Sequence, residues 1–191
     1  MPYVAKYSAS GGTVTYSDGM RLARGVSVSV QAEIGESDPF FADNVEAETT
    51  PGKFSGGTVT YTVDGLLSEA ETLILGLPEP EEFSYGESKT TKIYNYGDAM
   101  SPPYVGTAFI ARYQSEGVES FVPILLTKNR FQTPSLSANT QEDAIEYQTQ
   151  ELVADLMRDD TSAHNWKRIG EEQSTEAEAE EIIKALFKIT E

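Results

Sequence analysis

The chain has 191 residues, of which 39% are hydrophobic and 10% aromatic, and this composition favours a folded domain with a sizeable core over intrinsic disorder. It contains no cysteine, which excludes disulfides, thiolate metal sites and a cysteine nucleophile. Its 31 acidic and 14 basic residues give a net charge of −17, a sign that disfavours sequence-specific binding of nucleic-acid phosphates.

The acidic residues are concentrated in one part of the chain. Between Gly25 and Ser88 the single basic residue is Lys53, against thirteen carboxylates. Such a surface repels DNA, although acidic surfaces also serve solubility alone. No basic start leads into an apolar run, and no stretch reaches the length of a membrane span. We therefore expect a protein that folds in a cytoplasm and does not insert into membranes.

Alternating apolar and polar residues predict strands in the first third of the chain. Val26–Ile34 alternates over nine residues, which is typical of a strand with one buried and one solvated face. Gly35–Pro39 then predicts a turn, and Phe40–Thr49 a return strand. Thr58–Asp64 alternates in the same way. The heptapeptide SGGTVTY occurs at Ser10–Tyr16 and again at Ser55–Tyr61, and we interpret it as a reused strand-and-turn phrase and not as a duplicated domain.

A short helix and a long irregular segment follow. Ser68 and Glu71 have the spacing of a capping box, so a helix is predicted to begin there and to end at Gly76 and Pro78. Residues 78–103 are polar and rich in turn formers, with one weak hairpin at Lys89–Tyr96. A segment of this length without strong structure is usually functional, so we predict an extended loop or arm that makes contacts.

The second half of the chain returns to strand patterns. Tyr104–Gln114 and Val118–Thr127 flank the sequence Ser115-Glu116-Gly117 and predict a hairpin, whose second strand we place at a sheet edge or bulge because of Pro123. Shorter strands are predicted at Lys128–Pro134, Ala144–Thr149, Glu151–Met157 and Asn165–Ile169.

The chain ends in a predicted amphipathic helix over residues 174–189. Thr175 and Glu178 form a second capping box, acidic residues fill the first turn, and Lys184 and Lys188 lie in the last. The order of elements predicts a single mainly β domain over residues 1–191, an antiparallel β-sandwich or half-barrel with one short internal helix and one C-terminal helix.

Residues that could support catalysis are few. The single histidine, His164, follows the polar stretch Asp159-Asp160-Thr161-Ser162, where an exposed turn residue is expected. Asp159 and Asp160 lack the alternate spacing of a calcium loop, and the glycine pairs precede strands, whereas a phosphate-binding loop opens a helix. We predict no catalytic, metal or cofactor-binding residues, no cofactor, and a protein that is not an enzyme.

Several short stretches, taken in order, form a pattern over nearly the whole chain. They are the Val26–Ile34 strand followed by Phe40–Asn44, the Gly56-Gly57 strand leading to Asp64–Leu67 and the first helix, Pro102–Gly106, a hairpin through Arg112, Phe121 and Leu126, Lys128–Phe131 with Pro134, Ile145–Thr149, Trp166, and the helix start at Thr175–Ala179. In this order of features the chain resembles the major tail proteins, or tail tube subunits, of long-tailed bacteriophages. It departs from them in its acidic Gly170–Glu180 stretch.

This resemblance implies a β-sandwich subunit that forms hexameric rings, which stack into the tube that conducts the genome. The implied partners are other copies of the chain and the tape-measure, tail terminator and distal tail proteins, while DNA passes through the lumen without specific binding. The implied location is the virion tail, after assembly in the host cytoplasm. Strands of neighbouring subunits would join into a lumen-lining barrel, which removes their open edges.

Two other classes of function remain open from the sequence. One is a different ring-forming virion protein, for head–tail joining or capsid decoration; the other is a ligand-binding β-sandwich module. The predicted contact elements for assembly are residues 78–103, the hairpin tip at Gly35–Pro39 and the terminal helix. The alternative for that helix is that it packs only on its own sandwich.

Overall fold

The computed structural model describes residues 1–42, 45–134 and 149–189, with backbone alone over 38–42 and 45–49. Strands form 55% of it, the sheets are antiparallel, and one helix is internal and one C-terminal, so the predicted fold class is confirmed. The strands are β1 (Tyr3–Ser10), β2 (Thr13–Arg21), β3 (Ala23–Ile34), β4 (Asp38–Ala42), β5 (Val45–Thr50), β6 (Phe54–Leu66), β7 (Glu81–Tyr85), β8 (Lys89–Ile93), β9 (Val105–Ser115), β10 (Val118–Phe131), β11 (Gln150–Met157) and β12 (Lys167–Ile169). The helices are α1 (Ser68–Leu75) and α2 (Glu176–Phe187).

One large sheet dominates the molecule, with the strand order β2-β1-β9-β10-β11-β6-β3 and with β12 paired beside β10. Its two end strands, β2 and β3, are separated in the chain by Leu22 alone. Leu22 is fully buried, and its backbone N–H donates to the Pro2 carbonyl over 3.0 Å. Because consecutive residues lie at opposite ends of the sheet, the sheet must curl until the ends meet at Leu22. The result is the half-barrel form of the predicted architecture.

The curled sheet buries a separate apolar cluster on each face. The inner cluster contains α1 and residues from β1, β6, β9, β10 and β11, with Tyr61 fully buried among them. The Tyr61 hydroxyl donates to Thr107 Oγ1 over 2.6 Å, and Asn129 Nδ2 donates to the same oxygen over 2.9 Å. These bonds satisfy polar atoms that would otherwise be costly at this depth.

The second cluster lies under α2, on the outer face of β1, β2, β9 and β10. Ile183 and Phe187 are buried there, and the Phe187 ring lies 5.1 Å from that of Tyr16. The predicted capping box is present, since Thr175 Oγ1 accepts from the Glu178 N–H and the Glu178 carboxylate accepts from the Thr175 N–H. The helix therefore packs on its own sheet.

Two predictions in the first half of the chain need correction. Phe40–Thr49 is not one return strand: its described residues belong to β4 and β5, which pair with each other in a separate sheet, while β3 pairs with β6. The predicted capping box at Ser68 is absent, because the N-cap of α1 is Leu67 and makes no side-chain cap. Glu71 instead accepts from the Tyr96 hydroxyl over 2.5 Å.

Further corrections concern the second half. The strand that contains Pro123 is not an edge, because β10 pairs with β9, β11 and β12, but it is bulged, since its pairing with β9 shifts between Leu126 and Asn129. Pro123 itself lies where β12 ends, and its carbonyl accepts from the Gly170 N–H. The separate strand predicted at Lys128–Pro134 is the continuation of β10 as far as Phe131. The hairpin of the arm is β7–β8, earlier than the predicted Lys89–Tyr96. Most of the predicted strand at Ala144–Thr149, like Asp43 and Asn44, lies outside the described residues.

Candidate assembly surface

The residues considered first for chemistry organise a turn. Asp159 is buried, and its Oδ1 accepts from the Thr161 N–H and Oγ1 over 3.2 and 2.6 Å. Asp160 accepts from Lys128 Nζ over 2.8 Å and from the Tyr7 hydroxyl over 2.7 Å. These two hydrogen bonds lower the pKa of Asp160, and the bond from Lys128 has the larger effect. Burial raises the pKa of Tyr7 to about 12.

His164 belongs to the same turn as an exposed residue. Its φ of 50° is left-handed, and its Nδ1 lies 3.3 Å from the Asp159 carbonyl oxygen. Within the ranges that the structure describes, no three acidic or histidine side chains are grouped to hold a metal ion. Four surfaces of the described residues stand out as candidates for contacts with other molecules.

The first surface is the open edge of the sheet at β3. This strand is 12 residues long, and among the strands that the structure describes it pairs on one side only, with β6. Register shifts are confined to its ends, so Ser27–Glu33 forms an unbroken ladder with β6. The strand contains neither lysine nor proline, the residues that commonly block an edge, and Val26 and Ile34 are exposed. It is thus suited to pairing with another chain.

The opposite end of the sheet is protected. The pairing of β1 with β2 shifts between Val4 and Lys6, opposite Asp18 and Gly19, and Asp18 has a φ of 53°. This bulge twists β2 away from a regular ladder. The end of α2 also covers it, since a Cβ at Gly19 would lie 2.4 Å from the Phe187 carbonyl oxygen. Of the two end strands, β3 is therefore the regular one, and among the described residues Pro2 packs against its start at Gly25.

The second surface is the outer face of β3, β6 and β11, which we call the polar face. Residues directly opposite in antiparallel strands share a face, and the register brings together Ser27, Ser29, Gln31, Glu33, Thr58, Thr60, Thr62, Glu151, Val153 and Asp155. Five of these carry hydroxyls, three are carboxylates and none is basic. The members on β3 are exposed and those on β6 are half-buried, so this part of the sheet faces solvent while α2 covers the rest.

Two cations lie at the borders of the polar face. At one end Arg24 Nη1 lies 4.0 Å from Asp64 Oδ2. On the β10 side, Arg130 is directly opposite Asp155 in the register and so shares its face, with its guanidinium 5.7 Å from the centre of the Tyr104 ring, while Lys128 is held by Asp160. The ten residues of the polar face on β3, β6 and β11 themselves include three carboxylates and no cation.

The third surface is the β7–β8 hairpin, which occupies the middle of the predicted arm. All ten of its strand residues are exposed. The register places Phe83 and Tyr85 on one face with Ile93, and these side chains are 53%, 48% and 41% exposed. The arm is fixed at its base, because the Tyr96 hydroxyl bonds to Glu71 and the Ser101 N–H donates to the Gly76 carbonyl over 3.2 Å.

The fourth surface is an apolar groove between α2 and β12, with a volume of about 220 Å³. Its walls are Ile182 and Leu186 from the helix and Arg168 and Ile169 from β12, with Pro123 and Leu125 as the floor. Ile169 and Leu186 are among the exposed large hydrophobic residues of the protein. The sequence did not identify this groove, because it depends on how α2 lies across the sheet.

The predicted contact elements are only partly grouped by the structure. The arm and the terminal helix each contribute one surface. Residues 35–37 of the predicted hairpin tip form an exposed connection into β4. No helix in the described ranges has the length and apolar character to cross a membrane. No protein-family profile and no curated protein sequence matches this chain.

Proposed function

We propose that this chain is a tail tube subunit, a structural virion protein whose copies join into stacked, hexameric rings around a channel that conducts DNA. The observation that carries the proposal is the open β3 edge directly beside the polar face. In a ring, the β3 edge of each copy contacts a surface of its neighbour other than the covered β2 edge. The polar faces of successive copies then form one continuous surface.

The open edge supports self-assembly because a long, regular and unblocked strand rarely remains unpaired in a protein that acts alone. The two ends of the sheet differ, since β2 is bulged and covered and β3 is not. A contact between unlike surfaces of identical chains is head-to-tail, and it generates a closed ring when the rotation between copies closes. This is the symmetry that a hexameric ring requires.

The composition of the polar face supports its position on the channel wall. Hydroxyls and carboxylates hydrate well, and the carboxylates repel phosphate groups. A conduit must let DNA slide and must not hold it. Basic residues on this face would bind phosphates and slow that movement, and the interior of the face contains none.

Negative-stain electron microscopy across a protein concentration series tests the proposal. We expect rings or tubes whose channel is about 20 Å wide or more, because a DNA duplex is wider than its ~12 Å major groove. A field of monomers at every concentration, with the tail partners also present, would contradict it. Single rings that never stack would instead indicate a joining protein, and glycan binding without polymerisation would indicate a ligand-binding module.

A matched pair of variants tests the role of the β3 edge. Val26→Lys puts a charged side chain on that edge at a position 61% exposed, and Val118→Lys makes the same change at a position 71% exposed in the β9–β10 hairpin. We expect both variants to unfold at the wild-type temperature and only Val26→Lys to lose rings and tubes. Normal assembly of Val26→Lys would mean that β3 is not part of the interface between copies.

A further inference from the structure

The apolar face of the β7–β8 hairpin has no partner among the described residues of its own chain. Phe83, Tyr85 and Ile93 stay about half exposed, although together they form one continuous patch. A two-stranded hairpin without such a partner is marginally stable in water. Its attachment through Glu71 and Gly76 places its base beside α1, on the inner side of the sheet.

The groove between α2 and β12 opens on the other side of the sheet, where α2 packs. Its volume of about 220 Å³ is below the roughly 300–1,000 Å³ typical of small-molecule sites, so it is better suited to one or two protruding side chains. The hairpin and the groove are thus two uncovered apolar surfaces of one chain that lie on opposite sides of its sheet.

The charges of the two surfaces are complementary at one end of the hairpin. Glu81 lies on the apolar face, directly opposite Ile93 in the register, while Lys89 lies at the other end of that face, directly opposite Tyr85. Arg168 forms part of the groove wall beside Ile169. When the apolar residues of the hairpin enter the groove, a carboxylate accompanies them and meets a guanidinium. Such complementarity sets the register of a contact and excludes like-charged partners.

We infer that the groove between α2 and β12 receives the Phe83–Tyr85–Ile93 face of the β7–β8 hairpin from a second copy of this chain. The contact is head-to-tail, because hairpin and groove are different surfaces. It is separate from the β3 edge, so each copy has two independent means of joining its neighbours. The inference rests on the proposed function in so far as both require self-assembly.

Cysteine cross-linking tests this contact directly, because the wild-type chain has no cysteine and every thiol is an introduced one. Phe83→Cys and Ile169→Cys chains, distinguished by a mass tag on one of them, are mixed at a concentration more than about tenfold above that at which the wild type assembles, which offsets the loss of the two apolar side chains. A short bis-maleimide is then added. We expect a cross-linked dimer that contains one chain of each kind, and little cross-linking in either variant alone.

A second pair of variants measures the energy of the contact. Phe83→Ala removes the proposed anchor, and Tyr113→Ala removes an equally exposed aromatic residue from the β9–β10 hairpin. We expect Phe83→Ala to raise the concentration needed for assembly by about tenfold or more and Tyr113→Ala to leave it unchanged. Glu81→Arg and Arg168→Glu should each weaken assembly, and the two together should restore it.

The outcomes separate this inference from the proposed function. Wild-type rings or tubes without a mixed cross-link would overturn the hairpin contact and leave the tube subunit in place. Phe83–Phe83 cross-links in place of mixed ones would overturn it as well, in favour of a symmetric contact between hairpins. Absence of any wild-type assembly would overturn both.

Discussion

At the scale of single residues, Glu180 is the charged link between α2 and the sheet. Its Oε1 accepts from Arg21 Nη2 of β2 over 2.8 Å and lies 3.3 Å from Lys184 Nζ one turn along the helix. Hydrogen bonds from Arg21 and from the Tyr3 hydroxyl lower the pKa of Glu180 from its ordinary 4.5 to about 2. Burial, followed by the bond to Glu180, raises the pKa of Tyr3 to about 12.

The first prediction concerns the dependence of stability on pH at Glu180. A depressed carboxyl pKa stabilises the folded state fully above pH 4.5, and this contribution is lost as the pH falls towards 2. Glu180→Gln should therefore lower the free energy of unfolding by about 1–2 kcal/mol at pH 7. The difference from wild type should shrink towards pH 2. Urea unfolding at several pH values measures it.

The control for Glu180 is its exposed neighbour. Glu181→Gln removes the same charge from the same turn of α2, and we expect it to change the free energy of unfolding by less than about 0.5 kcal/mol at any pH. Equal effects of the two variants would mean that net charge, and not the contact with Arg21, determines the stability.

The second prediction contrasts two adjacent glycines of β6. A Cβ at Gly57 would lie 2.4 Å from the Gln31 carbonyl oxygen, whereas a Cβ at Gly56 would meet nothing closer than 4.0 Å. Gly57→Ala must therefore separate the backbones of β3 and β6, and it should cost about 1–3 kcal/mol in thermal or chemical unfolding. Gly56→Ala should be close to neutral. Similar costs for both would show that the strands do not approach as closely as described.

At the scale of elements, the repeated heptapeptide shows how far a local sequence determines its own secondary structure. In Ser10–Tyr16 the glycines form the β1–β2 turn, with φ values of 58° and 78° at Gly11 and Gly12. In Ser55–Tyr61 the same two glycines lie inside β6, between β3 and β11. The final tyrosine is buried in both copies. The interpretation as a strand-and-turn phrase is therefore right for the first copy and wrong for the second, where the glycines continue the strand.

The other elements also combine local features, which the sequence predicts, with long-range pairings, which it does not. The alternation in β6 and the capping box of α2 are local patterns, and the structure confirms them. The strand predicted at Val26–Ile34 is present as part of β3, but the prediction that its apolar residues form a buried face is wrong, because Val26 and Ile34 are exposed at the edge of the sheet. The pairing of β3 with β6 and the central position of β10 around Pro123 depend on contacts between distant segments, which one sequence does not reveal. The amphipathic β7–β8 hairpin was recognisable from the spacing of Phe83 and Tyr85, but the turn-rich composition around it hid the signal.

The third prediction separates the two sides of α2. Phe187 is fully buried against Tyr16, whereas its neighbour Leu186 is partly exposed along the groove. Phe187→Ala should lower the free energy of unfolding by about 3–5 kcal/mol, because it leaves a cavity between helix and sheet. Leu186→Ala should change it by less than about 1 kcal/mol. Urea unfolding of the two variants distinguishes them, and equal losses would contradict the described orientation of α2.

The orientation of α2 also determines what its deletion would do. Removal of residues 179–191 would expose the cluster formed by Tyr3, Tyr16 and Leu125 on the sheet. A large apolar patch of this kind causes aggregation in a soluble protein. We therefore expect the truncated chain to be insoluble, which is why the point variants at Leu186 and Phe187 are the better test of whether the helix takes part in assembly.

At the scale of the whole molecule, charge and architecture support the same role. The net charge of −17 opposes the close association of identical chains, so assembly must depend on specific surfaces that outweigh this repulsion. The open β3 edge supplies backbone hydrogen bonds, and the hairpin and groove supply apolar contact. The carboxylates of the polar face contribute to the repulsion, and under the proposed function they are retained because they face the channel.

The last prediction tests whether that face keeps DNA from binding. Changing Glu33, Glu151 and Asp155 to Lys reverses its charge, and changing the exposed residues Glu87, Glu116 and Glu171 to Lys alters the net charge equally elsewhere. In a gel-shift titration with duplex DNA, we expect the first variant alone to bind, with an affinity that falls steeply as salt rises. Equal binding by both would mean that net charge alone excludes DNA. Binding by neither variant would mean that the polar face does not line the channel, because the affinity of a channel wall for DNA must depend on the sign of the charges on that wall.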